Sequence, residues 1–457
     1  MSKEINKILE LFPFSSGVST DSRSVAAGNI FFALRGENFD GNNYARMALD
    51  KGALCAVVER DSEFGQRVLA AKFNPDYGTQ ADRDRLRRYI LVESPLKAFQ
   101  LLAKWHRKGF RIPVIGLTGT NGKTTTKELI KAVLSKKYRV VATEGNLNNS
   151  IGVPMTLFRI SMSTQIAVVE MGASHPGDIE ELVNVALPNF GLITNVGKAH
   201  LLGFGSYEGV KKTKGELYDF LQEHSGTVFL NVDNPELFKM VDDRPGINPI
   251  TYGMKHQEVE VLPVTAHDPY LRIKIGGVVV NTHLVGSYNV DNVLAAIAIG
   301  EHFGVSTQEC YAAVSEYVPT NNRSELKKGK HNLLVVDAYN ANPTSMKVSL
   351  ANFGKTEFKN KGVILGDMRE LGEYSESEHR EIIDILSKMD LKKVVLVGKE
   401  FGAQKGYASE IGCGERFEFF EDVEALKESI HKTHPKNYTL LIKGSNGIRL
   451  QSIIPEF

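Results

Sequence analysis

The stretch Ile112-Pro-Val-Ile-Gly-Leu-Thr-Gly-Thr-Asn-Gly-Lys-Thr-Thr-Thr-Lys127 decides the fold of this chain. An apolar run typical of a buried strand is followed by Gly119 and Gly122, and then by apolar residues at helical spacing. A strand, a glycine-rich turn and a helix start form a cradle whose backbone N–H groups point at one anion. The stretch therefore predicts a phosphate-binding loop, in which Lys123 reaches the terminal phosphates and the Thr124 hydroxyl contacts Mg²⁺.

The loop departs from the general P-loop pattern at one position. That pattern has a glycine five residues before Gly122, but Leu117 stands there and Gly116 comes one place early. A glycine turn that binds no phosphate is the alternative interpretation. We favour the phosphate loop because Gly-Lys-Thr directly after a buried strand is hard to account for without a bound phosphate. The residues expected to contact phosphate are Gly119, Thr120, Asn121, Gly122, Lys123, Thr124 and Thr125.

Composition narrows the possible functions. A chain of 457 residues is too long for one core, so we expect about three domains. The net charge of +1 gives no general attraction to nucleic acids or anionic membranes, and no apolar stretch is long enough to span a bilayer. The three cysteines are scattered without metal-ligand spacing. We therefore expect a cytoplasmic protein without a nucleic-acid or membrane partner.

The first 110 residues predict a small α/β domain with short apolar strands. Residues 19–23 and 35–42 are polar, turn-rich stretches whose donors could hold a nucleotide base or a diphosphate. From the residues alone, ordinary surface loops are the simpler interpretation. The arginine-rich stretch 73–88 is predicted to be a loop or an insertion.

The strands predicted in residues 111–322 end in polar residues, as expected where ligands bind at the carboxyl edge of a parallel sheet. Glu170 ends one apolar run, and His200 follows the next. A carboxylate near a phosphate loop suits Mg²⁺, for which histidine is a less usual ligand. The alternatives are a strand-end charge for Glu170 and a structural role for His200. Residues 211–216 form a basic helical segment, for which composition alone favours a solvated face.

A long α/β alternation completes the chain. Asn289 and Asn292 stand at the start of an alanine-rich helix, where their amides could cap the helix or contact an adenine edge. Residues 323–457 alternate strands and helices in the doubly wound pattern, and we expect the carboxyl edge of this sheet to face the phosphate site. The polar residues that follow its strands are Asp337, Tyr339, Asn340, Asn342, Asp367, Glu370, Lys443 and Ser445.

The loop Thr118-Gly-Thr-Asn-Gly-Lys-Thr-Thr125 resembles that of the Mur ligase family, whose members attach amino acids to a cell-wall precursor. Further stretches resemble the branch of this family that adds D-alanyl-D-alanine to a UDP-linked tripeptide, and the resemblance covers nearly the whole chain. These stretches are residues 170–178, 195–205, 337–345 and 366–372, together with 21–23 and 31–41 in the amino-terminal domain. One departure follows Ser445, where the family pattern has an arginine and this chain has Asn446-Gly447-Ile448-Arg449.

The resemblance implies an α/β fold of three domains. These are a small α/β UDP-substrate domain in residues 1–110, a central P-loop ATPase domain with a mostly parallel sheet in 111–322, and a Rossmann-like domain for the incoming dipeptide in 323–457. It also implies a catalytic set of Lys123, His200 and Lys214, in which Lys214 is carbamylated. ATP would contact the residues of the phosphate loop and also Asn289, Asn292, Arg323, Asp337 and Asn340. The protein ligands of two Mg²⁺ ions would be Thr124, Glu170, His200 and Lys214. The UDP-substrate would contact Ser22, Arg23, Arg35, Gly36 and Asp40, and the dipeptide would contact Asn342, Lys443 and Ser445.

The implied reaction is ATP-dependent joining of a carboxylate to an amine. The implied substrates are UDP-N-acetylmuramoyl-tripeptide and D-alanyl-D-alanine, and we expect a monomer. The alternatives are a sister ligase that adds a single amino acid, a folate polyglutamate ligase, and a nucleotide-dependent binding protein that has lost the chemistry. Residues 339–343, Tyr-Asn-Ala-Asn-Pro, disfavour the first two. Retention of Lys123, Glu170 and Lys214 disfavours the third.

Overall fold

The computed structural model describes residues 2–265 and 268–457. The described residues form two compact units. One unit contains the residues up to Ile112 with Asn146–Ser163 and Asn184–Leu187, and the other contains Pro113–Gly145, Thr164–Val183 and Pro188–Phe457. The predicted domain boundaries near residues 110 and 322 stay predictions.

The amino-terminal residues build a four-stranded parallel sheet with helices on its faces. The sheet has the order β1-β2-β5-β6, and β3 and β4 form a separate antiparallel pair. The elements are α1 (Lys3–Leu11), β1 (Val18–Ser19), β2 (Ile30–Phe32), β3 (Arg35–Gly36), β4 (Phe39–Asp40), α2 (Ala45–Asp50), β5 (Cys55–Glu59), α3 (Glu63–Phe73), α4 (Gln80–Arg87), β6 (Tyr89–Val92) and α5 (Pro95–Lys108). The small α/β domain predicted here is confirmed.

The prediction of a loop at residues 73–88 is wrong, because α4 lies within this stretch. Thr79 and Asp82 form a capping box that satisfies backbone N–H groups at the start of the helix. Leu86 is the buried residue of α4. The abundance of charged residues hid the helix, since a single apolar anchor gives no detectable periodicity.

The middle of the chain builds a six-stranded parallel sheet of order β12-β11-β10-β7-β9-β8, followed by the antiparallel sheet β13-β14-β15. The elements are β7 (Val114–Thr118), α6 (Lys123–Leu134), β8 (Val140–Ala142), α7 (Gly152–Phe158), β9 (Ile166–Glu170), α8 (Asp178–Ala186), β10 (Phe190–Ile193), α9 (Leu201–Phe204), α10 (Tyr207–Glu223), β11 (Thr227–Asn231), α11 (Pro235–Asp242), β12 (Ile250–Tyr252), β13 (Glu260–Val261), β14 (Arg272–Ile275), β15 (Val278–Asn281), α12 (Val290–His302) and α13 (Thr307–Glu316).

The strand β7 is fully buried, as its apolar run predicts for a strand inside a parallel sheet. The helices α6 and α12 pack against this sheet in one core with residues such as Ile115 and Leu192. They approach closely at Gly300, where an added Cβ would collide with Val133. This packing holds α6, the helix that follows the phosphate loop, against the sheet.

The carboxyl-terminal residues build a second six-stranded sheet of order β16-β17-β21-β18-β19-β20, in which only β16 is antiparallel. The elements are β16 (Glu325–Lys328), β17 (Leu333–Val336), α14 (Pro343–Lys355), β18 (Lys361–Gly366), α15 (Ser375–Ser387), β19 (Lys393–Val397), α16 (Lys399–Ala403), α17 (Lys405–Glu410), β20 (Phe417–Phe420), α18 (Val423–Thr433) and β21 (Thr439–Lys443). The predicted α/β fold with a doubly wound carboxyl-terminal region is confirmed. Among the described residues, no helix is long and apolar enough to cross a bilayer.

Candidate active site

The phosphate loop has a shape that requires its two glycines. Gly119 has φ +139° and Gly122 has φ +79°, conformations that favour glycine. A Cβ at Gly119 would collide with Thr194 Oγ1, and one at Gly122 would lie 2.6 Å from Asn292 Oδ1. The backbone of this loop is therefore free to curl around an anion at the amino end of α6.

The loop that follows β10 holds the phosphate loop in place. Thr120 N–H donates to Asn195 O (2.9 Å), and Asn121 N–H donates to Asn195 Oδ1 (3.0 Å). The amide of Asn342, at the start of α14, donates to Asn121 Oδ1 (2.8 Å). The carboxyl-terminal sheet edge thus faces the phosphate loop, as its polar strand ends predicted.

The Lys123 ammonium lies over its own loop. Its Nζ donates to Gly119 O (2.7 Å) and Thr120 O (3.1 Å). Burial lowers the pKa of Lys123 to about 8, although Glu170 acts in the opposite direction. A phosphate in the cradle would offer this amine a stronger acceptor than a carbonyl oxygen.

Thr124 and Glu170 place two hard oxygen donors beside the loop. Thr124 Oγ1 donates to Glu170 Oε1 (3.2 Å), and the carboxylate is 1% exposed. Within the described ranges, no cluster of three or more His, Cys, Asp or Glu residues could hold a metal by itself. The donor pair fits a Mg²⁺ ion that takes its remaining ligands from phosphate and water.

His200 lies at the boundary between the middle and carboxyl-terminal parts of the chain. Its backbone is left-handed, with φ +50°, and its Nδ1 forms a hydrogen bond with Glu370 Oε2. Burial lowers the pKa of His200, which favours the neutral ring. Its assignment to Mg²⁺ stays a prediction.

Lys214 corrects the prediction of a solvated face for residues 211–216. Its side chain is 2% exposed, and Thr213 and Gly215 are buried beside it on α10. Burial, aided by the charge of Lys123, lowers the pKa of Lys214 to about 7. Composition misled here because the lysines of one helix point to different faces.

The amides of Asn289 and Asn292 are engaged inside the protein. Asn289 Nδ2 donates to Val285 O (2.9 Å), and its Oδ1 accepts from Asn292 Nδ2 (2.9 Å). Asn292 Oδ1 accepts from Thr126 Oγ1 (2.9 Å), which joins α12 to α6. Through these contacts the two asparagines support the phosphate loop from α12. Their contact with adenine stays a prediction.

Arg323 and Asp337 are the other predicted nucleotide residues of this region. The Arg323 guanidinium lies 3.7 Å from the centre of the Tyr339 ring, a cation–π contact. Asp337 Oδ2 accepts from Lys443 Nζ (2.6 Å) and from Ser349 Oγ (3.1 Å). The Asp337–Lys443 ion pair joins the carboxyl ends of β17 and β21.

The remaining predicted residues of this edge hold its loops together. Asn340 Oδ1 accepts from the N–H groups of Ala341 (2.9 Å) and Asn446 (3.3 Å). Ser445 Oγ donates to Ala341 O (3.1 Å) and accepts from Arg369 N–H (2.9 Å). Direct contact of Lys443 or Ser445 with a dipeptide stays a prediction.

The predicted UDP-substrate residues lie in the amino-terminal unit. Arg23 pairs with Asp21 (2.8 Å), and Arg35 pairs with Asp40 (3.2 Å). Asp40 also accepts from the backbone N–H that follows Gly41, at the start of a 3₁₀ turn. Ser22 O accepts from a lysine of the same unit, and a Cβ at Gly36 would collide with the ring of Phe39. Their role with a UDP-sugar stays a prediction.

Sequence reasoning missed a charged cluster next to His200. Glu378 is 4% exposed and accepts from Lys198 Nζ (2.8 Å) and Lys347 Nζ (2.9 Å). Burial raises the pKa of Glu378, but the two lysines more than offset this and lower it. These residues lie far apart in sequence, so no spacing could have brought them together.

Sequence reasoning also missed a cleft of about 730 Å³ at the carboxyl edge of β18, β19 and β20. Glu370 lines it, as do the cations Arg369 and Lys399. A Cβ at Gly447 would collide with the Arg369 guanidinium, so the missing side chain leaves room for this arginine. Arg369 therefore reaches the segment in which the family pattern has its own arginine, directly after Ser445.

Comparisons with known proteins agree with this geometry. Three family models match the chain: "Mur ligase family, catalytic domain" at residues 15–107, "Mur ligase middle domain" at 117–300, and "Mur ligase, glutamate ligase domain" at 322–446. The chain is 33% identical over 456 residues to the UDP-N-acetylmuramoyl-tripeptide--D-alanyl-D-alanine ligase of Bacillus subtilis, covering 96% of this chain and 92% of that protein. It is 31% identical to the ligase of the same name from Escherichia coli, with the same coverage of both chains.

The solved structures to which this chain is similar include MurF ligases. MurF from Acinetobacter baumannii matches with a TM-score of 0.78 and 27% identity, covering 96% of this chain and 93% of that one. MurF ligase from Thermotoga maritima, solved in complex with ADP, matches with a TM-score of 0.77 and 25% identity, covering 100% and 98%. The family models, the full-length relatives and the phosphate loop lead to one conclusion: the chain belongs to the Mur ligase family.

Proposed function

We propose that this protein uses ATP to join D-alanyl-D-alanine to UDP-N-acetylmuramoyl-tripeptide, giving the pentapeptide, ADP and phosphate for peptidoglycan synthesis. The observation that carries this proposal is the likeness along 96% of the chain to relatives named for that reaction. The phosphate loop and its half-buried Lys123 support the use of ATP. We place the reaction in the cytoplasm, which suits the free thiols of Cys55, Cys310 and Cys413.

The chemistry requires activation of a carboxylate, which is a poor electrophile. Phosphoryl transfer from ATP would give an acyl phosphate, the dipeptide amine would attack its carbonyl carbon, and phosphate would leave. Negative charge gathers where the carboxylate meets the γ-phosphate, and Lys123 with the loop N–H groups lies where it can offset this charge. Thr124 and Glu170 would hold Mg²⁺, which supplies charge neutralisation to the phosphates when bound.

We assign the dipeptide to the cleft of about 730 Å³ rather than to Lys443 and Ser445 alone. D-Alanyl-D-alanine has one carboxylate and two methyl groups. The cleft offers Arg369 to the carboxylate and apolar walls such as Leu371 and Val423 to the methyl groups. Glu370, one of several acidic residues that line the cleft, contacts the ring of His200 and so connects the cleft to the site of phosphoryl transfer.

Arg369→Ala is expected to raise the KM for D-alanyl-D-alanine at least about tenfold, since a charged hydrogen bond contributes roughly 1.5–3 kcal/mol. The KM for ATP should stay within about twofold of wild type, because Arg369 lies outside the phosphate loop. Steady-state kinetics with each substrate varied in turn measures both values. Arg449→Ala, at an exposed arginine of the segment that follows β21, is the control. An unchanged dipeptide KM in Arg369→Ala would remove Arg369 from this role.

Mass spectrometry of the product formed from UDP-tripeptide, ATP and D-alanyl-D-alanine tests the function itself. A mass increase equal to the dipeptide minus water is expected, with phosphate release that requires both acceptor and dipeptide. A product that carries a single amino acid would identify a sister ligase instead. Absence of phosphate release, with nucleotide binding retained, would identify a binding protein that has lost the chemistry.

A further inference from the structure

A second lysine of α6, one turn after Lys123, has no role in the function proposed above. The side chain of Lys127 is 0% exposed. Its Nζ lies 3.2 Å from Glu128 Oε1 and 3.6 Å from Glu170 Oε2. It also donates to Gly145 O (3.3 Å), in the loop that follows β8.

Burial of an ammonium group is unfavourable unless opposite charges and hydrogen bonds compensate it. Lys127 meets this condition in part by facing the same carboxylate that faces the phosphate loop. The two oxygens of Glu170 have different partners, because Thr124 contacts Oε1 and Lys127 contacts Oε2. The backbone N–H of Glu170 donates to Thr143 Oγ1 (2.9 Å). One carboxylate oxygen of Glu170 therefore accepts a hydrogen bond from Thr124, and the other lies within ion-pair distance of Lys127.

We propose that Lys127 is a positioning residue, which fixes the Glu170 carboxylate so that Oε1 is presented to magnesium-bound ATP at the phosphate loop. This inference rests on the proposed function, since Glu170 is assigned to magnesium there. A carboxylate already held in one orientation loses little freedom when it binds a cation. Residues that orient metal ligands in this way typically change metal affinity about 10–100-fold when they are replaced.

The contact with Gly145 gives Lys127 a second anchor. Because the amine contacts Gly145 O as well as Glu170, it joins the loop after β8 to the end of β9. The neighbouring Thr143 makes the same connection through the Glu170 backbone. The position of the carboxylate thus depends on a side chain from α6 and a loop from the adjacent strand.

The test uses the full chain and a fluorescent, nonhydrolysable ATP analogue titrated at increasing Mg²⁺ concentrations. In Lys127→Met, the Mg²⁺ concentration that half-maximally tightens nucleotide binding should rise at least about tenfold. Nucleotide affinity without Mg²⁺ should change less than about twofold, because Lys123 and the loop are retained. A purely structural role would lower the melting temperature without moving the Mg²⁺ midpoint. If Lys127→Met does not fold, Lys127→Gln is measured in the same way.

Two further variants make the result decisive. Lys131→Met, at an exposed lysine of the same helix, should leave the Mg²⁺ midpoint at its wild-type value. Glu170→Gln should shift it at least as far as Lys127→Met does. A midpoint that moves in Glu170→Gln but not in the Lys127 variants overturns the positioning role alone. A midpoint that moves in neither removes Glu170 from the magnesium site, and the proposal for Lys127 fails with it.

Discussion

Lys123→Ala is expected to lower turnover at least about a hundredfold while leaving the affinity for the UDP-tripeptide nearly unchanged. The reason is the position of the amine, which lies over the phosphate loop and contacts Gly119 O and Thr120 O. Its charge acts most strongly where the γ-phosphate and the carboxylate meet, because the half-buried position of the amine reduces screening by water. Loss of one such contact typically costs about 3 kcal/mol or more of transition-state stabilisation.

Single-turnover measurements of phosphate formation, together with equilibrium binding of the UDP-tripeptide, separate the two effects. Lys131→Ala is the matched control, because Lys131 lies on the same helix and is exposed. Its turnover should equal that of wild type. Turnover close to the wild-type value in Lys123→Ala would exclude Lys123 from the transfer step.

Lys214→Met is expected to lower turnover at least about a hundredfold, as Lys123→Ala does. It is also expected to make the folded protein more stable at pH 7. The pKa of Lys214 is lowered to about 7 in the folded protein from an ordinary value of 10.5. A large share of this amine is therefore neutral at pH 7, and the neutral amine is the form that reacts with CO₂ to give the implied carbamate. Methionine fills a similar volume but cannot form a carbamate.

The stability effect follows from proton linkage. Between pH 7 and 10.5 the unfolded chain binds a proton at Lys214 that the folded protein lacks, so low pH favours unfolding and stability rises with pH. Removal of the amine should stabilise the fold at pH 7 by a few kcal/mol, since one pKa unit corresponds to about 1.4 kcal/mol. Urea unfolding at pH 7 and pH 9, in buffers depleted of CO₂, should show a smaller rise in stability for Lys214→Met than for wild type. Equal rises would contradict the lowered pKa.

The sequence predicted the sheet-forming parts of this fold well, for a physical reason. Parallel strands such as β7 and β18 are buried on both faces, and a short apolar run that ends at a polar residue is typical of them. The phosphate loop was equally clear, because its glycines and Lys123 are adjacent in the chain. Helix α4 was missed because its packing depends on one apolar residue among many charges.

The parts of the site that were not predictable depend on pairs of residues far apart in sequence. Glu378 binds Lys198 across 180 positions, and Arg369 reaches the loop around Gly447. Neither pair has a spacing that helical or strand periodicity could show. The burial of Lys127 was not predictable for another reason. A lysine in the first turns of an amphipathic helix is expected to have a solvated side chain, and only the fold shows that this one is buried.

The oxygen and the nitrogen of the Asn342 side-chain amide have different hydrogen-bond partners. Its oxygen accepts from Ser345 N–H at the start of α14, and its nitrogen donates to Asn121 in the phosphate loop. A fragment that stops before residue 323 would contain the complete glycine-rich motif and still lack this donor. Inhibitor screens against the nucleotide pocket should therefore use the intact polypeptide, since an excised ATPase fragment would present a differently ordered target.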